Sequence, residues 1–379
     1  MSAAQWRRAM RSPPTTGAQP RTLASVPAIA VPPEPRSPAP RDWLPALRRT
    51  IRARHLVVIA ALLVFPFIAT PFITFQVAAQ SLVLGLVALS LTFLAGYGGM
   101  VSLAQMTVAG IAGYALAILG TSSSGADIAL RWPWWVAVPF ALFIATLCAT
   151  LIGWLSVRTE GIYTIMITLA IGVAFYYLVL QNYSVFNGFQ GLREVYPPKV
   201  FGLDWRAPVP FYFLCLACAM AGYCLVKWVV RAPFGIALQG IRDNPRRMAA
   251  LGYHVVAHRV AAYALAGLLA AVGGVLLVWY NGLITPGSVS TSWLINILVV
   301  AVLGGMRHPI GAFLGAILFV LLQTFAIDLI DRERFNLLIG GIFFAIVLFS
   351  PDGLLGLWAA LRVRLGSRRG LTSNQRRQP

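Results

Sequence analysis

The uncharged run that starts with HLVVIAALLVFPFIATPFITFQVAAQ (His55–Gln80) decides the class of fold. It continues to Ala126 without any Asp, Glu, Lys or Arg, and residues 260–306 form a second run of this kind. A helix on the surface of a soluble protein needs a polar face, whereas a helix that spans the hydrocarbon core needs about 20 apolar residues. The sequence therefore predicts an all-α polytopic membrane protein.

Ten apolar segments follow one another along the chain, and each is a candidate membrane span. They cover approximately residues 56–75, 77–95, 99–120, 133–157, 161–181, 208–230, 260–281, 291–306, 308–327 and 335–350. We therefore expect about ten transmembrane helices, in a membrane domain over residues 55–357.

The two ends of the chain are basic and lack the regular spacing of apolar residues that marks a helix or a strand. Residues 1–54 are rich in Pro, Ala and Arg, a composition that cannot bury enough apolar surface to fold. We predict a disordered basic cytoplasmic tail there and a second basic cytoplasmic tail over residues 358–379. For the first tail, an organelle transit peptide and a start codon assigned too far upstream are the alternatives.

The basic residues are distributed by side of the membrane. The chain carries 30 Lys and Arg against 11 Asp and Glu, a net charge of +19. With the amino terminus inside, 24 of the 30 fall in tails and loops on the cytoplasmic side, as the positive-inside rule requires. The charge thus indicates topology rather than nucleic-acid binding. We predict a multi-pass protein of the bacterial plasma (inner) membrane with both termini cytoplasmic.

Two similar stretches interrupt the apolar pattern. GYGGMVSLAQ (Gly96–Gln105) places glycines and polar side chains at membrane depth, and VLGGMRHPIGAFLGA (Val302–Ala316) repeats its Gly-Gly-Met. Irregular backbone is tolerated at that depth only against protein or a water-filled path. The repeat suggests an internal duplication, as in many transporters. The alternative is close helix packing through Gly311 and Gly315.

The largest cytoplasmic loop, residues 232–258, carries the signals of two short helices. Its apolar residues predict a first helix near Pro233–Arg242. The second helix has a typical N-cap residue, a proline suited to the first helical position and a glycine suited to a left-handed end. These residues are, in order, Asn244, Pro245 and Gly252. With Arg246 and Arg247 on one side, the loop either rests on anionic lipid or docks into a partner protein.

Five blocks of the sequence, in this order, resemble the permease subunits of branched-chain amino acid ABC importers. They are GYGGMVSLAQMTVAGIAGYA, RTEGIYTIMITLAIG, PFGIALQGIRDNPRRMAALGYHV, VLGGMRHPIGAFLGA and FSPDGLLGL. Their order and the chain length are more similar to the M-type (LivM) subunit than to the H-type. The sequence departs from the family at Pro245-Arg246, where many relatives carry an acidic residue, and at Arg307-His308, where small residues are usual.

The resemblance implies the ABC-importer permease fold and a set of partners. The partners are a second permease subunit (H-type), two ABC ATPase subunits and an extracytoplasmic solute-binding protein, in addition to membrane lipid. The loop would be the element that couples the chain to the ATPase, through Phe234, Gly235, Arg242, Asp243, Asn244, Arg246, Arg247 and Gly252. The implied solutes are branched-chain amino acids, with urea, short amides and small carboxylates as alternatives.

The residues themselves exclude several kinds of chemistry. Neither of the two lysines, Lys199 and Lys227, lies in a phosphate-binding loop, which requires Gly-x-x-x-x-Gly-Lys-Ser/Thr. ATP hydrolysis is therefore expected from partner subunits, and no catalytic residue, cofactor or metal site is predicted in this chain. None of the ten segments has an Asp, Glu, His or Lys in its interior, which disfavours the rival class, an ion-coupled secondary transporter.

Polar side chains near segment interiors are the candidates for lining a translocation path. They are Ser102, Gln105, Thr168, Asn296 and Gln323. Hydrogen bonding between helices is the alternative role for each of them.

Overall fold

The computed structural model describes residues 53–120, 130–159, 161–199, 202, 204–329, 340–341, 344 and 353–356. Apart from Ala53 and Arg54, the first predicted tail lies outside these residues, and so does the whole of the second. Of the predicted tenth segment, only residues 340–341 and 344 are described, and they are helical.

Helices account for most of the described chain. They are α1 (Ala53–Ile68), α2 (Gln80–Gly98), α3 (Gln105–Leu119), α4 (Trp134–Ser156), α5 (Ile162–Gln181), α6 (Tyr183–Phe186), α7 (Pro208–Arg231), α8 (Pro233–Asp243), α9 (Pro245–Ala250), α10 (Val255–Asn281), α11 (Thr291–Gly304) and α12 (Pro309–Leu329). A π-helical segment, Ile73–Ala79, leads directly into α2, and 3₁₀ turns cover Gly188–Gln190 and Pro286–Val289. Two short strands, β1 (Leu192–Arg193) and β2 (Leu283–Ile284), pair antiparallel.

The expected count of about ten membrane spans is not confirmed within the described residues. Five helices there are long and apolar enough to cross a membrane, namely residues 73–98, α4, α5, α7 and α10. The pair α11 and α12 passes the same test together, with a bend of 116° between its members. α3 has 15 residues, which is shorter than the roughly 20 that a spanning helix needs.

The first two predicted segments are divided at the wrong place. The sequence predicts a break between residues 75 and 77, whereas the structure breaks at Ala69 and Thr70 and is helical from Pro71 to Gly98. A proline fits the first turn of a helix because the N–H that it lacks would have no partner there. Pro71 therefore starts a helix instead of interrupting one.

The 73–98 helix and α10 form the centre of the bundle. Of the 18-residue apolar stretch with which the 73–98 helix could span a membrane, 83% is buried. α10 packs against α2, α3 and α4. Glycines allow α10 to come this close. A Cβ at Gly267 would overlap Ala149 of α4, and one at Gly274 would overlap the backbone of Ala109 in α3. Small residues at such contacts let helices associate in lipid, where the hydrophobic effect does not drive them together.

α5 is the least buried of the long helices. Only 22% of the 18-residue apolar stretch with which it could span a membrane is buried. The buried residues are Thr164, Thr168, Gly172 and Val179, a spacing that places them on one side of the helix. The other sides of α5 are available to lipid or to another protein.

The two ends of α10 mark the two ends of the bundle. α8 and α9 precede its first residue, and β2 follows its last. With 27 residues, α10 is about 40 Å long at 1.5 Å per residue. The end that carries α8 and α9 is called the helix-pair end below, and the end that carries β1 and β2 is called the strand end.

Candidate functional site

The predicted coupling loop forms two helices at the helix-pair end. α8 has Pro233 at its first position and ends at Asp243, one residue later than predicted. Its buried residues, on the side that contacts α7, α2 and α10, are Gly235, Ala237, Leu238 and Ile241. A Cβ at Gly235 would overlap the carbonyl oxygen of Val229 in α7. Glycine is therefore required for α8 to turn back so closely on α7.

α9 is capped at both ends in the way that the sequence predicts. The side chain of Asn244 accepts a hydrogen bond from the backbone N–H of Arg247 at 3.0 Å, and Pro245 is the first helical residue. At the other end, Gly252 has a φ of +89°. The N–H groups of Gly252 and Tyr253 donate to carbonyl groups in the last turn of α9, at 3.0 and 3.1 Å. These two bonds are the Schellman motif that commonly ends a helix at glycine.

The exposed side chains of the loop combine apolar and basic groups. We call six of them the outer face, namely Ile236, Arg246, Arg247, Leu251, Tyr253 and Val256. Leu251 is 67% exposed and Ile236 is 63% exposed. Large exposed apolar side chains accompanied by polar ones are typical of a surface that binds a protein or a membrane.

Contacts join the two helices of the loop to each other and to the start of α10. The Met248 side chain of α9 lies against Gly240 of α8. The Phe234 ring of α8 stacks on the ring of His258, near the start of α10, with centroids 5.7 Å apart, and the Tyr253 ring meets the same imidazole edge-on at 5.7 Å. The loop is therefore a packed unit.

Arg242 joins this unit to the bundle. Its Nη1 donates a hydrogen bond of 2.6 Å to the carbonyl oxygen of Gly96 in α2. Its Nη2 lies 2.8 Å from a carboxylate oxygen of Asp243, which also accepts a hydrogen bond from Nε at 2.9 Å. Arg242 and Asp243 thus form one group at the end of α8, and Arg242 extends from it to α2.

The two Gly-Gly-Met stretches meet at this end of the bundle. A Cβ at Gly96 would overlap the carbonyl oxygen of Met306, and a Cβ at Gly98 would lie 3.9 Å from the Leu238 side chain of α8. Gly353, in the last helical turn that is described, lies against Gly305. The end of α2 therefore contacts both α8 and the bend between α11 and α12.

His308 lies directly before α12, the second helix of this bent pair. Its Nδ1 accepts a hydrogen bond from the N–H of Ile310 at 3.4 Å. A neutral imidazole can accept this hydrogen bond at the start of α12. His308, at one of the two sites where the sequence departs from the family pattern, thus has a structural role here.

The structure brings together three of the five predicted path residues. The N–H of Leu103 donates to Thr168 Oγ1 at 3.1 Å, and the N–H of Ala104 donates to Ser102 Oγ at 3.4 Å. Gln105 Oε1 accepts a hydrogen bond from Ser90 at 3.0 Å. Ser102, Gln105 and Thr168 are each at most 2% exposed. Gln105 thus bonds between two helices, Thr168 holds the turn before α3, and Ser102 bonds within that turn. A role in translocation stays a prediction.

The other two predicted path residues lie elsewhere. Asn296 is half-buried on α11 and Gln323 is half-buried on α12. Within the described residues, no hydrogen bond joins either side chain to the group around Ser102.

Three buried hydroxyl-bearing residues near this group were missed by the sequence reasoning. Tyr263 of α10 lies close to Ser102 and to Ser156 of α4, and Ser90 of α2 binds Gln105. Ser90, Ser156 and Tyr263 are all buried. The only sequence signal was a single polar residue within an apolar helix, which does not say which neighbour it faces.

Comparison with known proteins places the chain in a family. Residues 73–347 match the family described as the permease component of the branched-chain amino acid transport system. The chain belongs to this family. The match covers most of the chain and includes α8, α9 and both Gly-Gly-Met stretches. It confirms the resemblance that the five sequence blocks carry.

Individual relatives agree with the family assignment. The high-affinity branched-chain amino acid transport system permease protein LivM of Escherichia coli (strain K12) is 23% identical over 87% of this chain and 82% of its own length. The LivH permease protein of Salmonella typhimurium is 22% identical over 72% of this chain and 90% of its own length. The nucleoside ABC transporter permease protein NupC of Lactococcus lactis is 31% identical over 32% of this chain and 37% of its own length. No solved structure matches the chain.

Proposed function

We propose that this chain is the M-type permease subunit of an ABC importer for branched-chain amino acids in a bacterial inner membrane. Family membership and the M-type relative that aligns with 87% of the chain support this assignment. The observation that carries the mechanism is the outer face of the loop, in which Leu251, Ile236 and two arginines are exposed. We assign this face to an ATPase subunit.

Two properties of the loop favour an ATPase over lipid as the occupant of the outer face. The loop is a packed unit, and the buried side of α8 contacts three helices of the bundle. A partner that pushed on the outer face would therefore displace the ends of those helices. Lipid would satisfy the apolar side chains equally well, but it would transmit no such force.

The energy source follows from the absence of a nucleotide site in the sequence. The two lysines of the chain lie outside any phosphate-binding loop, which ATP hydrolysis of this kind requires. Two ABC ATPase subunits would supply the energy by binding at the helix-pair end. Closure of the ATPase pair would then shift the permease between its outward-open and inward-open states.

The second permease and the solute-binding protein are assigned to other surfaces. The M-type and H-type relatives both align with most of this chain, which supports a partner of similar fold. The sparsely buried α5 offers a side for it. The solute-binding protein would dock at the strand end. This requires the helix-pair end and both termini to be cytoplasmic, as the distribution of 24 of the 30 basic residues favours.

The outer face is tested by changing it without touching the bundle. Leu251→Glu, and separately Arg246→Glu with Arg247→Glu, should reduce co-purification of the ATPase subunit with the membrane complex, because the first places a charge in an apolar contact and the second reverses the basic groups. Leu251→Met is the matched control and should retain the ATPase. Normal co-purification in both altered chains, with changes only in binding to anionic vesicles at low salt, would assign the loop to lipid instead.

A further inference from the structure

We infer that Arg242 is a positioning residue that transmits movement of the loop to the carboxyl end of α2. The inference rests on the proposed function, in which an ATPase subunit moves the loop. It assigns to one side chain the link between the surface that receives the force and the central helix of the bundle.

The hydrogen bond from Arg242 ends on a backbone group that needs a partner. The last four carbonyl groups of a helix have no intrahelical N–H, and they carry the negative end of the helix dipole. Gly96 lies in the last turn of α2, which ends at Gly98. Its carbonyl oxygen accepts from Arg242 Nη1 at 2.6 Å. A hydrogen bond from a charged donor is shorter and stronger than a neutral one.

The remaining nitrogen atoms of Arg242 fix the direction of the side chain. Nε and Nη2 are both within 2.9 Å of the same Asp243 carboxylate oxygen. A planar guanidinium can hold Asp243 with one edge and Gly96 with another, whereas the single ammonium group of lysine cannot reproduce this fork. The Arg242 side chain is therefore held at both ends and connects α8 to α2.

Gly99 provides the space for the Arg242 side chain. It ends α2 with a φ of +67°, and a Cβ at this position would lie 2.5 Å from Cγ of Arg242. The aliphatic part of Arg242 thus runs directly over the turn that terminates α2. Movement of α8 would act on this turn through both the hydrogen bond and the stem of the side chain.

The Arg242 side chain contributes more to coupling between the loop and α2 than to the folding of the chain. The Arg242 side chain is 39% exposed and that of Asp243 is 67% exposed, and exposed ion pairs add little stability. The apolar residues Leu238 and Ile241, each 0% exposed, hold α8 on the bundle without Arg242. Removing the guanidinium should therefore leave the chain folded while disconnecting the end of α2.

The test compares Arg242→Gln with Arg231→Gln in the complete reconstituted transporter. Arg231 is an exposed arginine at the end of α7, outside the outer face, and its neutral variant is the matched control. Co-purification of the ATPase, basal ATP hydrolysis and solute transported per ATP hydrolysed are measured for each. We expect Arg242→Gln to retain the ATPase and its basal activity, while transport per ATP falls at least about fivefold, the low end of typical coupling between sites. Arg242→Lys should recover only part of the loss.

Several results would overturn the assignment. Unchanged transport per ATP in Arg242→Gln would show that α8 acts through its apolar contacts alone. A large fall in the thermal unfolding midpoint of that variant in detergent would make Arg242 a structural residue. An equal loss of transport per ATP in Arg231→Gln would remove the specificity of the Gly96 contact. If the unaltered chain retained no ATPase, the proposed function itself would fail, and this inference would fail with it.

Discussion

The two Gly-Gly-Met turns have the same sequence and different surroundings. Gly98-Gly99-Met100 ends α2 and Gly304-Gly305-Met306 ends α11, and the second glycine has a positive φ in both, +67° and +102°. At the first turn, Gly98 faces the side chains of Met100 and Leu238, and Gly99 faces the side chain of Arg242. At the second, Gly304 faces the backbone of Gly311 and Gly315 in α12.

The difference indicates which turn can move. A turn packed against backbone is held by atoms that cannot adjust without displacing a helix, since packed interiors have little free volume. A turn packed against a long side chain can follow that side chain. The end of α2 also meets backbone, at the Met306 carbonyl through Gly96, but the glycine pair of its turn faces side chains, so we regard the α2 turn as the more adjustable of the two and call the α11–α12 turn the fixed one. That the two turns arose by duplication stays a prediction.

The largest expected effect is at the fixed turn. Gly304→Val would place side-chain atoms into the backbone of Gly311, and overpacking of this kind costs about 1–3 kcal/mol, occasionally more. We expect most of the chain to be lost to aggregation when it is extracted in detergent, as measured by size-exclusion chromatography. Gly287→Ala is the control, because a Cβ there meets only the Thr285 hydroxyl at 3.4 Å. Normal yield of the Gly304 variant would show that α11 and α12 can separate.

A smaller effect is expected at the adjustable turn. Gly99→Ala adds a Cβ at a positive φ, which costs about 1–2 kcal/mol, and also pushes on Arg242. The destabilisation caused by the contact with Arg242 should vanish when Arg242→Ala is added. Thermal unfolding midpoints of the two single variants and the double variant should therefore show coupling of about 0.5 kcal/mol or more. Additive effects would mean that Arg242 does not press on this turn.

The smallest effect is expected at a third glycine that ends a helix. Gly252 has a φ of +89°, and an added Cβ would meet no atom within 4 Å. Gly252→Val should therefore cost only the backbone strain, about 1–2 kcal/mol, confined to the loop. Solute-stimulated ATPase activity should fall in Gly252→Val and be largely kept in Gly252→Asn, because asparagine tolerates this conformation. Equal losses would mean that the conformation is not what matters at this position.

The loop could be predicted closely because its signals are local. Asn244, Pro245 and Gly252 define the ends of α9 within a few residues of sequence, and the structure has the expected caps. The bounds of α8 also follow from a proline and a short apolar period. None of these features depends on contacts with distant parts of the chain.

The membrane helices were predicted less well for a physical reason. In uniformly apolar segments no polar face marks where a helix begins, so the break before Pro71 was misplaced and the number of spans was not confirmed within the described residues. The contact between Arg242 and Gly96 joins residues 146 positions apart, and no local pattern announces it. Likewise, Ser102 and Thr168 were recognised as polar at depth, but their partners are set by packing.

The most direct test of the account is uptake of radiolabelled leucine into proteoliposomes that contain this chain and an H-type permease. The account predicts accumulation only when the two ATPase subunits, ATP and the solute-binding protein are all present, with isoleucine and valine competing and with urea and nucleosides failing to compete. Uptake without the ATPases, driven by a proton or sodium gradient, would contradict it and make the chain part of a secondary transporter.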